Sequence, residues 1–353
     1  VHFFGTLLDP LMRPLFRVPG IGGFVMAMGF ASGYPVGARL TSQLWEQKLI
    51  NRSEGERLVA FTSTSDPIFL IGAVAVGFFF NPGIAIILSI AHYGAGIIVG
   101  LLMRFHAGSV PMTPPSPAKD GGIISLAFRN MHVARLEDDR PFGLMMRDAA
   151  VTALRLIFVI GGLVVFFSVL IEILSLSGIL QMLTGLVSET LILSGLPPQL
   201  APAFINGLFE VTLGSQSAGQ AEGLLLIHKA AAAAFVLSWA GLSVHAQIVS
   251  LMSATGMRYM PFVIARLLHG LLAMVIVILL WDAMMVQPSS SRLYSFLPVA
   301  LSDQIPYAGW LIHIPISIGL FTLFLLISFS LAIHFAKWLV KKFNLGKITT
   351  YTD

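Results

Sequence analysis

The chain has 353 residues, of which 56% are hydrophobic and only 11% charged; it carries a formal net charge of +4 and no cysteine. Soluble domains hold roughly 25% charged residues, so this composition excludes a soluble globular fold, and the absence of thiols excludes disulfides, thiolate catalysis and cysteine metal sites. The basic balance reports topology rather than nucleic-acid binding, because the Lys and Arg residues lie between long apolar runs.

Taken in chain order, residues 7–18 read as an interfacial segment. Residues 20–40 are apolar but rich in Gly, Ser and Pro, and read as a broken helix or re-entrant hairpin. Such backbone is tolerated at membrane depth only where it lines a cavity. Membrane spans follow at 58–80 and 84–103, each near the ~20 residues a bilayer demands. The central loop opens with a Pro-rich linker at 111–117 and continues as an amphipathic surface stretch. A span at 152–174 precedes a segment at 176–193 that is read as interfacial. A second Gly/Ser-rich hairpin occupies 202–226, and further spans lie at 230–252, 261–281 and 311–335.

The order of elements in the first half recurs in the second after a shift of about 176 residues, the weak internal repetition found in secondary transporters. Charge assigns the directions. Arg39, Lys48, Arg52 and Arg57 fill one loop, Arg104 to Arg147 another, and Lys337, Lys341, Lys342 and Lys347 the tail; all three are expected on the cytoplasmic side. No Lys or Arg stands between Arg155 and Lys229, so the second hairpin is expected to open from the opposite face.

The expected fold is therefore an all-α polytopic membrane protein with two inverted repeats, each with a re-entrant hairpin and a broken helix. The boundaries are a first repeat at 1–105, a cytoplasmic linker at 106–150, a second repeat at 151–283, an extracytoplasmic loop at 284–307, and a last span with basic tail at 308–353. Such a repeat calls for an oppositely directed span before Val1, and the first repeat is expected to be N-terminally truncated.

Four motifs carry the polar chemistry. Around Ser32, Gly33, Tyr34 and Gly37 the helix breakers free backbone N–H and C=O groups that a ligand can satisfy; close helix packing is the competing reading. Ser63, Thr64, Ser65 and Asp66 precede Pro67 inside an apolar run, where an unpaired carboxylate is costly; hydroxyls satisfying the proline break is the alternative. Asn206, Glu210, Thr212, Ser215 and Gln216 form the counterpart in the second hairpin. Ser243, His245 and Gln247 form a further polar break. Asp66 and Glu210 are the candidates for ion or proton coupling, while Arg39 and Arg266 are candidates for contacting a carboxylate, with snorkelling of Arg266 to the surface as the alternative. Metalloprotease, phosphate-loop, dinucleotide and nucleophile-elbow signatures do not occur. The expectation is no catalytic residue, no metal, no cofactor and no enzyme activity.

The ordered motifs at 31–38, 62–67, 207–214 and 241–247 resemble the sporulation integral membrane proteins of the nucleoside-recognition, or Gate, domain group. That resemblance implies a fold related to concentrative nucleoside transporters and transport of dipicolinate (pyridine-2,6-dicarboxylate) during endospore formation. It places the protein in the outer forespore membrane with its basic loops in the mother-cell cytoplasm. The partners so implied are the lipid bilayer, a small anionic substrate and a coupling cation, either proton or sodium, with no nucleic acid. Nucleoside transport on the same fold, or a non-transporting structural part in a sporulation membrane complex, are the rival functions.

Overall fold

A computed structural model describes residues 2–114, 123–137 and 140–285. The expected span at 311–335, the basic tail and nearly all of the loop at 284–307 lie outside the described residues. Within them the chain is helical, with no strand. Among the described residues four helices, counting Leu226–Met252 as one, are long and apolar enough to cross a bilayer.

Helix α1 (His2–Phe16) turns by 84° into α2 (Ile21–Ser32). Gly20 permits that corner: a Cβ there would lie 2.0 Å from the Gly5 carbonyl oxygen. Gly33 separates α2 from α3 (Tyr34–Glu46). Helix α4 (Arg52–Thr62) starts with a capping box in which Asn51 and Glu54 exchange side-chain-to-backbone bonds. It ends in an extended stretch at 63–66, after which the chain winds into a π-helical segment, Phe69–Phe78. Helix α5 (Ile84–Met103) is the first uninterrupted apolar span. The region expected as one span at 58–80 is thus two half-helices around a polar break.

After the surface helix α6 (Ile123–Glu137) comes α7 (Phe142–Leu176). Only 11% of its most apolar window is buried, so its Ile, Val and Phe side chains face outward, as a lipid-facing helix requires. Gly178, with φ of 77°, turns the chain into α8 (Ile179–Leu193). Helices α9 (Ala201–Phe209) and α10 (Val211–Gln220) meet at Glu210. Helices α11 (Leu226–Trp239) and α12 (Gly241–Met252) meet at Ala240, which holds the left-handed conformation, φ 76°. Helix α13 (Tyr259–Met285) closes the described chain. In contrast to α7, the window across α11 and α12 is 83% buried. Ala230 to Ala234 explain this: a run of alanines lets α5 and α13 approach α11 closely, the usual device where dispersion rather than water drives helix association.

Each half of the described chain runs short helix, helix–break–helix, broken helix, long helix. The halves interlock. The Tyr34 hydroxyl on α3 donates to the Leu237 carbonyl on α11 at 2.7 Å. Conversely, Gly219 on α10 lies against the Phe78 carbonyl of the π-helical segment.

Helices α9 and α10 pack as a tight pair, because a Cβ at Gly214 would lie 2.2 Å from the Gly207 Cα. Gly214→Ala should therefore cost about 1–3 kcal/mol by overpacking, read as a lowered melting temperature in detergent. Gly94→Ala, where an added Cβ meets nothing within 4 Å, should be neutral or slightly stabilising. Equal effects would show that the α9–α10 contact is not held by glycine.

Candidate functional site at the helix breaks

The breaks pair up. The α2–α3 break lies on the break after α4: a Cβ at Gly33, whose φ is +91°, would sit 3.2 Å from Asp66 Oδ2. The α9–α10 break lies on the α11–α12 break: a Cβ at Gly241, φ +76°, would sit 3.0 Å from the Glu210 Cα. Both positions tolerate only glycine comfortably, since they combine a left-handed conformation with a close neighbour.

At each pair two helix N-termini meet one carboxylate. Asp66 Oδ1 accepts from the Phe69 N–H at 2.9 Å and so caps the π-helical segment. Glu210 Oε2 accepts from the Leu213 N–H at 2.9 Å and caps α10, with the Thr212 hydroxyl donating to its other oxygen at 3.2 Å. The adjoining N-termini of α3 and α12 have no side-chain cap. Helix N-termini attract negative charge, so each carboxylate is held where two such termini offset its burial. The coupling role expected of Asp66 and Glu210 has to compete with this capping.

A polar cluster joins the two halves beneath the first pair. Arg266, fully buried on α13, donates to the carbonyls of Ala60 and Ser63 at the end of α4. It also reaches the Ser238 carbonyl near the end of α11 at 3.4 Å. One guanidinium thus caps the C-terminal ends of two broken helices, the position where a cation is favoured. Among the described residues no carboxylate pairs with it, and its Nε is buried without a partner. Snorkelling is corrected by this geometry, and any contact of Arg266 with a substrate carboxylate would compete with the carbonyls it already holds. Arg39 reaches the Thr152 carbonyl on α7 at 3.5 Å, away from the cluster.

His92 and His269 stack beside Arg266 with ring centroids 4.9 Å apart. His92 Nε2 accepts from the Ser65 N–H at 2.9 Å, and its Nδ1 faces Ser238 Oγ at 2.8 Å. Tyr93 donates to the Ser65 carbonyl at 3.0 Å. The motif at 63–66 is therefore tied down largely through its backbone. Sequence reasoning missed His92; a histidine inside an apolar run was the only signal available.

Several expected site residues have structural partners. Ser63 Oγ bonds back to the Val59 carbonyl, Thr64 Oγ1 reaches the Gly29 carbonyl, and Asn206 donates to Ser217 Oγ. Gly37 packs on Thr62. His245 bonds the Tyr259 hydroxyl, 2.7 Å, and the Trp239 carbonyl, 3.1 Å, and any role in lining a cavity has to compete with these partners. Gln247 is buried, Gln216 half-buried and Ser32 exposed at the end of α2. By contrast, Ser215 Oγ, Ser243 Oγ and His269 Nδ1 are buried without a hydrogen-bond partner among the described residues. Buried polar atoms are nearly always paired, so these hydroxyls have bonding capacity left for something else.

Compared with known proteins, the chain is 40% identical over 309 residues to the sporulation integral membrane protein YlbJ of Bacillus subtilis, covering 86% of this chain and 74% of that protein. The chain belongs to the YlbJ family of sporulation integral membrane proteins. No protein-family model matches the chain, and no solved structure matches it. Membership accounts for the apolar spans of this YlbJ-family chain and fixes it as an integral membrane protein connected with sporulation.

Proposed function

We propose that this YlbJ-family chain transports a small aromatic dicarboxylate, dipicolinate, across a forespore membrane by alternating access, as a transporter and not an enzyme. The observation that carries the reading is the pairing of four helix breaks. Two of the helix N-termini there lack a side-chain cap among the described residues; Ser243 stands in the first turn of one, α12, and its hydroxyl and that of Ser215 on α10 are unspent. Uncapped backbone donors and unspent hydroxyls are groups that recognise carboxylate oxygens. The substrate's identity comes from the family resemblance, and the fold it implies holds substrate near mid-membrane between two oppositely inserted repeats. In this reading the basic loops face the mother-cell cytoplasm.

Thermal stabilisation of the purified protein tests it. A ligand at 100 times its Kd stabilises by about 2.7 kcal/mol, so saturating dipicolinate should raise the melting temperature by several degrees. Its uncharged diamide should do much less. Equal shifts from acid and diamide would remove the electrostatic argument, and a shift from nucleosides alone would move the assignment to nucleoside transport.

A further inference from the structure

We infer that His269 is the residue that takes up a proton when the anionic substrate binds, making Nδ1 of its imidazole the coupling site. The inference rests on the transport reading above and adds the coupling ion and its carrier.

Hydrogen bonding fixes the ring states. His92 Nε2 accepts the Ser65 N–H, so in its neutral form the proton sits on Nδ1 and is donated to Ser238 Oγ. His269 Nε2 lies 2.7 Å from the His92 carbonyl, an acceptor, so Nε2 carries hydrogen. Nδ1 of His269 is then a bare lone pair, buried, with no donor supplied by the described residues. Buried basic nitrogens without partners are uncommon enough to need an explanation, and an incoming proton supplies one.

Its surroundings say when that proton is accepted. The titratable or charged groups at this level are Arg266 on the same helix, His92 and Tyr93 on α5, Tyr34 on α3 and Asp66 in the linker. From α4 and α11 come only carbonyls and the hydroxyls of Ser63 and Ser238. Asp66 is already committed to capping. The fixed Arg266 charge opposes an imidazolium beside it until a further negative charge arrives. A bound dianion provides that charge, so proton and anion binding favour each other, and by linkage each strengthens the other equally. In the step itself a proton from water on the entry side forms an N–H bond at Nδ1, and imidazole becomes imidazolium. The proton leaves by the reverse step when the anion departs.

The experiment is calorimetric titration of the full-length protein with dipicolinate near neutral pH, in buffers of different ionisation heat. The wild-type protein should take up about one proton per anion. His269→Gln, which keeps a donor for the His92 carbonyl but does not titrate, should bind more weakly and with no proton uptake. Its melting temperature without ligand should match the wild type. Unchanged uptake in His269→Gln, or binding to the wild type without uptake, overturns the coupling role while leaving transport standing. No binding of dipicolinate to the folded wild type overturns the transport reading instead. Should the variant fail to fold, 15N-histidine NMR of the wild type decides. The His269 Nδ1 resonance should move from the bare to the protonated range on adding dipicolinate, and a signal that stays put refutes the proposal.

Discussion

Replacing Arg266 by Met is expected to destabilise the protein by about 2–4 kcal/mol, because the C-terminal carbonyls of two broken helices lose a charged donor together. The carbonyls of Ala60 and Ser63 end α4, and Ser238 lies at the end of α11. Neither helix continues far enough to satisfy them, and no water at membrane depth takes over. Arg266→Lys should recover part of the loss, since one ammonium reaches some of these oxygens but lacks the planar fork. Thermal unfolding in detergent reads both variants. Full stability in Arg266→Met, combined with lost anion binding, would make Arg266 a substrate contact and dismiss it as a clamp.

Glu56→Gln should produce the second large effect, at the opposite end of α4. Glu56 precedes the apolar segment that begins at Leu58, and its side chain has no exposed surface. Arg258, at the entry to α13, grips both its oxygens at 2.9 and 2.8 Å; His106 and Arg52 bond it at 2.7 and 3.1 Å. Burial pushes its pKa up, but the bonds from Arg258 and His106 outweigh burial and hold the carboxyl down at about 2. A depressed carboxyl stabilises the fold fully above its unfolded pKa, near 4.5, and that contribution fades as pH falls towards about 2. The shift corresponds to roughly 2–3 kcal/mol, the lower figure allowing for the solvent around the half-exposed Arg258. Glu56→Gln should remove that amount at neutral pH and flatten the acid limb of the stability curve between pH 4.5 and 2. Wild-type acid sensitivity in the variant would show that other carboxylates set it.

The architecture was legible because helix breakers leave marks. Gly33, Pro67, Glu210 and Gly241 interrupt apolar runs, and each stands at or beside an observed break. Less legible was what the polar residues at those breaks do. Asp66 followed by Pro67 is a helix-start signal, an acceptor at the cap and a proline in the first turn, while its apolar setting in the sequence points to a coupling site. Tertiary partners were out of reach. Nothing near Arg266 in sequence shows that Ala60, Ser63 and Ser238 point carbonyls at it, so a cation a few residues into a span read as snorkelling. His92 and Glu56 escaped for the same reason: their partners lie on elements far away along the chain.

The interlocking of the halves has a consequence for biogenesis. Tyr34 needs the carbonyl of Leu237, and the end of α4 needs Arg266. When the first half has been synthesised, the Tyr34 hydroxyl and the carbonyls of Ala60 and Ser63 still lack the partners that the second half supplies. They must wait, shielded by the insertion machinery or by retained water, until α11 and α13 emerge. The order of synthesis thus leaves a partly satisfied intermediate, and a chain cut between the halves keeps polar groups whose partners lie in the missing half.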